Sequence, residues 1–310
     1  MKVIYGTGRL DKIYPRVVAA IGVFDAIHRG HQKVIGRAVT EARRIKGTSV
    51  VITFYPHPVS ILRPKQFFAY VVSLEHRLRL IKECGVDVCV VVPFTKRFAA
   101  MSAEGFVRNV LVKKLCVKKV IVGEDFCFGH DRAGSFDVLK GVSCFSSEKI
   151  SIYNLNNINI KTKKIKELVL AGDLKLLKKF LGRDYSILSE VESGEAHGRR
   201  LGFPTANLKQ ENVVILPSGI YCVRAQFDDQ ERNGVFYIGT RPTFRKFQGK
   251  RVLELHVLDY QGNLYGKRIL VKFLKKIRDD RCFSGEKDLV ARIRQDIATA
   301  RKFFQKILPR

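Results

Sequence analysis

Two histidines three residues apart, His28 and His31, follow directly on an apolar stretch in the segment Ile21-Gly-Val-Phe-Asp-Ala-Ile-His-Arg-Gly-His31. Three residues apart at the start of a helix, both rings lie on one face, and the free amides of a helix N-terminus point at phosphate. Such a pair can hold a triphosphate and stabilise the charge that builds as its α-phosphorus is attacked. Gly30 lets the backbone approach the phosphates and Gly22 does the same under an adenosine; Phe24 joins them as a nucleotide-side candidate. No enzyme nucleophile is needed, because a phosphate oxygen of a second bound substrate can attack and displace pyrophosphate. Buried structural histidines are common, and the bare pair allows that reading too. Its place after a strand that opens a βαβ unit makes H-x-G-H a nucleotidylyl-transfer signal. Neither a Walker A loop nor G-x-G-x-x-G occurs.

A second constellation lies downstream. Thr205 and Asn207 are two apart, so in an extended segment they share a face, and their neutral oxygens suit Mg2+. Just before them, Gly198-Arg-Arg-Leu-Gly-Phe203 offers Gly198, Arg200 and Gly202 as a phosphate cradle. Glu254 is the odd acidic residue in the apolar run Val252 to Leu258. A carboxylate there is costly without a partner or a task, and general base toward a hydroxyl is such a task. Taken alone, Pro-Thr-Ala-Asn reads equally as a helix cap or a turn.

The elements that must position these groups change character along the chain. Apolar strands at Val17 to Phe24, Thr48 to Phe54, Val86 to Pro93 and Val120 to Val122 alternate with helices at His31 to Ile45, Leu74 to Cys84 and Ala103 to Leu115. Ser73 caps the second helix and Gly85 ends it. Strands separated by helices of this length imply right-handed crossovers and a parallel sheet. Lys161 to Phe180 is helical and divided at Gly172-Asp173. Short strands follow at Tyr185 to Glu192, Gly219 to Phe227, Gly234 to Ile238, Val252 to Tyr260 and Arg268 to Leu274, with turn signals between them, which predicts an antiparallel barrel. A helix closes the chain, Glu286 to Ile307, with Leu289, Ile293, Ile297 and Phe304 along one face. The expected architecture is an α/β, Rossmann-like domain with a parallel sheet over residues 1–182, then a small antiparallel β-barrel with a C-terminal helix over 183–310.

The longest apolar stretch, Val88 to Phe94, is too short to span a bilayer, and Met1 to Lys12 has no apolar core of a secretory signal. Seven cysteines at long intervals, none in a C-x-x-C pair, make a poor disulfide framework and no zinc site. A cytoplasmic location follows. The formal net charge of +28 invites a nucleic-acid reading. Its distribution argues otherwise: +17 over residues 1–190 and +11 over 191–310 is nearly uniform, and runs such as Lys161 to Lys166 and Arg241 to Arg251 are short. A solvated basic surface with a general attraction for polyanions such as ATP is the simpler reading.

Gly22-Val-Phe-Asp-Ala-Ile-His-Arg-Gly-His31, Phe54-Tyr-Pro-His-Pro58 and Val122-Gly-Glu-Asp-Phe-Cys-Phe-Gly129 resemble the adenylyltransferase half of bacterial bifunctional FAD synthetases. The resemblance implies that His28 and His31 hold ATP phosphates, and that Asp125, Phe126, Phe128 and Gly129 help hold FMN and adenine. Phe54 and His57 are further candidates, although Pro-His-Pro also serves to stiffen a loop. Gly198 to Leu208, Pro217-Ser-Gly-Ile-Tyr221, Ile238-Gly-Thr-Arg-Pro-Thr243, Glu254-Leu-His256, Leu264-Tyr-Gly266 and Ile277-Arg278 are similar to riboflavin kinase. By that likeness Thr205 and Asn207 bind Mg2+ and ATP phosphate, and Glu254 is the base for a ribityl hydroxyl. Arg278 and Phe283 are flavin-side candidates, against a surface cation and a core aromatic.

The likeness covers residues 15–307 with three departures. Ala26 replaces a glycine, Cys127 replaces the arginine of D-F-R-F-G, and Lys161-Thr-Lys-Lys-Ile-Lys166 aligns with the family's Ser-Ser-Thr-x-x-Arg. Thr162 keeps a hydroxyl there and Lys166 a charge, so both remain phosphate candidates, but lysine lacks the two-point grip of a guanidinium. The expected function is phosphorylation of riboflavin by ATP to FMN, then adenylyl transfer from ATP to FMN, giving FAD and pyrophosphate. Two alternatives stand beside it: a riboflavin kinase with a weak or inactive transferase, and a basic nucleic-acid-binding protein.

Overall fold

The computed structural model describes residues 1–8, 14–155, 157–193, 197–240 and 251–307, and the chain divides into two compact units, Met1–Lys164 and Ile165–Arg310. In the first unit, β1 (Lys2–Tyr5), β2 (Val18–Ile21), β3 (Ser49–Tyr55), β4 (Val88–Pro93), β5 (Lys119–Gly123) and β6 (Ser146–Ile150) form one parallel sheet in the order β1-β4-β3-β2-β5-β6. The unbroken apolar runs of β2 to β5 are buried, as strands covered on both faces must be. From β2 the chain builds outward through β3 and β4 on one side, then returns to β5 and β6 on the other. Such a reversal opens a crevice beyond the C-terminal ends of the two central strands. Gly22 leaves β2 there, and Glu124-Asp125-Phe126 leaves β5. A short antiparallel pair, β7 (Asn154–Leu155) and β8 (Ile158–Asn159), follows.

The helix Arg29–Arg44 covers the sheet with Val34, Ile35, Ala38, Val39 and Ala42, a stripe at helical spacing. In the helix Leu74–Glu83, Ser73 caps the start and Gly85 follows the end at φ +82°, as the spacing predicts. Two readings are corrected. The strand expected over Val17 to Phe24 is β2 and ends at Ile21, because Phe24 and Ile27 lie at φ +51° and +43°, outside any strand conformation. The helix expected over Ala103 to Leu115 is α only over Ala103–Phe106 and widens to a π-helix over Val107–Val112, a turn that leaves Val107, Val110 and Leu111 all buried.

In the second unit, β9 (Ser186–Glu192), β10 (Ala206–Leu208), β11 (Gly219–Phe227), β12 (Gln230–Gly239), β13 (Val252–Val257) and β14 (Arg268–Arg278) close into an antiparallel barrel, ordered β10-β13-β12-β11-β14-β9. Its interior is aromatic: Phe273 meets Tyr221, Phe236 and Tyr185 at centroid distances of 5.6, 5.2 and 5.9 Å. The two buried tyrosines satisfy their hydroxyls on Pro217 O (2.6 Å) and Val214 O (2.7 Å), so their burial leaves no polar group stranded. The helix Glu286–Ile307 lays Ala300 and Phe304 over Ile220, Cys222, Val235 and Leu258. Ahead of the barrel the helices Thr162–Ala171 and Leu174–Leu181 meet at Gly172 (φ +73°), with Asp173 capping the second. Residues 241–250, which include most of the Arg241 to Arg251 run and the end of the Ile238 to Thr243 motif, lie outside the described residues.

Candidate active sites

His28 is the N-cap of the helix Arg29–Arg44, and its Nδ1 accepts the His31 N–H at 3.2 Å. A ring nitrogen that accepts carries no proton, so in the neutral ring the proton of His28 sits on Nε2. The His31 ring stacks on it at 3.7 Å and 24°, and Phe24 presents an edge to His31 at 5.3 Å. Residue 22 must be glycine for a local reason, since a Cβ there would come within 2.8 Å of the Phe24 ring.

A cleft of about 580 Å³ opens at the strand reversal. Gly22, Phe24, His31, Phe54 and His57 line it with Asp125, Phe126, Cys127, Phe128 and Gly129. The Phe126 and Phe128 rings stack at 5.4 Å, and Phe54, Phe94, Phe98 and Phe106 complete an apolar lining suited to a flat ring system. A smaller cavity of about 110 Å³ shares His31 and Asp125 with this cleft and adds His28, Gly30, Lys161 and Thr162. There Lys161 Nζ lies 3.5 Å from Asp125 Oδ2, both more than half exposed. An exposed pair of this kind is weak and readily exchanged for another anion. Lys166, one turn beyond Thr162 on the same helix and half-buried, is not among the lining residues.

The barrel has its own cleft, of about 150 Å³, lined by Gly198, Thr205, Glu254, Arg278 and Phe283 among others. In the antiparallel pairing of β10 and β13, Asn207 stands directly opposite Glu254, and Thr205 Oγ1 reaches Glu254 Oε2 at 3.4 Å. Glu254, distant in sequence, therefore meets Thr205 and Asn207, and the helix-cap or turn reading of Pro-Thr-Ala-Asn gives way to an extended segment that enters a strand at Ala206. Gly198 closes against them: a Cβ there would come within 2.4 Å of Phe203 O and 2.9 Å of Thr205 Oγ1. Arg200 and Gly202 lie in the short helix His197–Arg200 and the turn after it, not in the lining.

Arg278 is not a surface cation. Its Nε donates to both oxygens of buried Asp296 at 3.0 Å and its Nη2 to Oδ2 at 2.7 Å. Phe283 is half-buried rather than a core aromatic, with the guanidinium groups of Arg278 and Arg281 at 5.6 and 4.8 Å from its ring centre.

Residues 11–167 match the family model for FAD synthetase and residues 181–304 that for riboflavin kinase. The bifunctional riboflavin kinase/FMN adenylyltransferase of Escherichia coli K12 is 34% identical over 309 residues, 98% of each chain. The protein of that name from Buchnera aphidicola of Schizaphis graminum is 32% identical over 312 residues, 99% of this chain and all of its own. This chain belongs to the bifunctional riboflavin kinase/FMN adenylyltransferase family. A crystallised Streptococcus pneumoniae protein named as a macrolide-efflux protein matches it with a TM-score of 0.84 at 26% identity, over 97% of this chain and 99% of its own. Among the described residues of the present family member, no helix is long and apolar enough to cross a membrane.

The cleft of the first unit also rests on residues that the sequence patterns did not single out. Asp25, 1% exposed, accepts the Val71 N–H at 3.0 and 3.2 Å, and the fully buried Arg77 approaches it at 3.7 Å. Burial lowers the Arg77 pKa, and the Asp25 carboxylate opposes that shift. A signal was present: Arg77 falls in register with Leu80 and Ile81 on the apolar face of its helix.

Proposed function

We propose that the barrel phosphorylates riboflavin and that the first unit adenylylates the resulting FMN. The pairing of Glu254 with Asn207 and Thr205 carries the kinase assignment. Glu254 takes the proton of the ribityl hydroxyl, whose oxygen bonds to the γ-phosphorus of ATP while the bond to the departing ADP breaks. Thr205 and Asn207 set two hard neutral oxygens beside that carboxylate, a donor set that fits Mg2+, which when bound there offsets phosphate charge. Gly198 lets its backbone pack close to Phe203 O and the Thr205 hydroxyl, which draws the phosphate-binding loop against the site; Arg200 and Gly202 act from the neighbouring turn. Arg278, locked by Asp296, and Phe283 face the flavin.

In the first unit, His28 and His31 bind the ATP phosphates at the smaller cavity with Gly30 and Thr162, while Gly22 and Phe24 take the nucleotide from the adjoining cleft. The aromatic cleft around Asp125, Phe126, Phe128 and Gly129 takes FMN. An FMN phosphate oxygen attacks the α-phosphorus, and pyrophosphate leaves with the bonding electron pair. The functional division lies at 182/183. All seven cysteines are free thiols, which supports a cytoplasmic location. Incubating riboflavin with Mg-ATP and separating the flavins tests the whole reading: FMN followed by FAD is expected, and FMN alone would leave a kinase with an idle transferase.

A further inference from the structure

A charged side chain with no solvent exposure lies beneath the first cleft, and the chemistry above makes no use of it. Arg77 reaches from the helix Leu74–Glu83 and donates through Nη1 to Val23 O at 3.2 Å and to Phe54 O at 3.1 Å, while its Nη2 faces Asp25 Oδ1 at 3.7 Å. Val23 and Asp25 flank Phe24, the left-handed residue whose ring meets His31. Phe54 opens the segment that carries His57. Asp25 in turn accepts the Val71 N–H, and the Arg77 guanidinium lies over the Tyr70 ring at 5.4 Å, whose hydroxyl accepts the His57 N–H at 2.8 Å. One planar fork thus joins two segments that line the cleft, the turn before the histidine pair and the Phe54 to Pro58 segment, and holds them, through Asp25 and the Tyr70 ring, to the strip Tyr70-Val71.

Stability alone gives little reason to keep such a group, because a buried ion pair is often no better than packed apolar residues. Left-handed Phe24 and Ile27, by contrast, persist only where their surroundings over-determine them. We infer that Arg77 is a positioning residue for adenylyl transfer: it sets the nucleotide-side turn and the flavin-side segment in mutual register so that the two substrates meet in line. This rests on the transferase reading above. Lysine keeps the charge but cannot serve two carbonyls and a carboxylate from one plane.

The test uses the full chain with Arg77→Lys and Arg77→Met, assayed for FAD formation from supplied FMN and Mg-ATP, for riboflavin phosphorylation, and for hydrogen exchange of peptides covering residues 22–31 and 54–71. For Arg77→Lys, kcat for FAD formation should fall about 10- to 100-fold, the loss expected of a slight misplacement of reactants. KM for ATP should change far less, phosphorylation should be unchanged, and exchange in both peptides should quicken. A purely structural role would lower the melting temperature and leave kcat of the folded protein at its original value; that result overturns the inference. If Arg77→Met does not fold, Arg77→Lys decides. If the unmutated chain makes no FAD, the transferase reading falls, and exchange still judges Arg77: unchanged protection of both peptides in Arg77→Lys overturns its hold on the cleft.

Discussion

Glu254 faces Asn207 across two strands and touches the Thr205 hydroxyl. Glu254→Gln keeps that shape without the base, so FMN formation should fall about 10²-fold or more, while FAD formation from supplied FMN stays unchanged; wild-type FMN output would remove Glu254 from the chemistry. In the other unit, His28→Ala and His31→Ala should each slow adenylyl transfer by about two orders of magnitude, or about 3 kcal/mol, and spare riboflavin phosphorylation. Equal loss of both activities would point to misfolding instead. The lysines where the family has Ser-Ser-Thr-x-x-Arg divide by placement. Lys161 lines the small cavity with His28 and Lys166 does not, so we expect Lys161→Ala to raise KM for ATP in FAD formation more than Lys166→Ala. The reverse order, measured with FMN and Mg-ATP, would return the phosphate role to the arginine-aligned position.

Among the elements, β6 is bound to its neighbours by charge as well as by backbone pairing. Glu148 accepts Arg37 Nε at 2.6 Å and Nη2 at 3.0 Å and meets Lys119 at 2.6 Å, which joins β6 to the helix Arg29–Arg44 and to β5. The Arg37 hydrogen bond, first among these causes, pulls the Glu148 carboxyl from an ordinary 4.5 down to about 2. A carboxyl with a depressed folded value adds stability above its unfolded pKa and loses it as pH falls through the folded one. The melting temperature should therefore drop more steeply between pH 4.5 and 2 than that of Glu148→Gln, with the two converging at the acid end. Parallel curves in calorimetry would show that the clamp does not couple to folding.

Long, strongly patterned elements were legible in the sequence: β3, β4, β11, the capped helix at Ser73, and the break at Gly172. Edge strands β1 and β6 and the three-residue β10 were not, because their pairing is set by neighbours rather than by their own alternation. The π-helical turn escaped because its residues keep an α-helical pattern. Both chemical constellations were visible as residue types, but not the pairing of Asn207 with Glu254; Arg77 stood out only as a cation in an apolar helix register, and the backbone carbonyls it serves are displayed by no side-chain pattern.

At the scale of the whole molecule, the charge of +28 is spread over the two units, and salt should discriminate its meaning. Binding to duplex DNA or RNA should be weak and vanish near physiological ionic strength; tight binding that persists there would favour a nucleic-acid partner. The two units also differ in what happens when they begin to come apart. In the barrel, β10 pairs with both β9 and β13, so none of its described strands has an open side. The parallel sheet ends on β6, guarded by Glu148 and Lys149, and on β1, a Lys-Val-Ile-Tyr strand with Tyr5 exposed. An open strand is a template for another chain. Heated at high concentration, the protein should thus clump through its first half: the protease-resistant core of the precipitate should yield peptides around β1 and its sheet, with barrel peptides digested away.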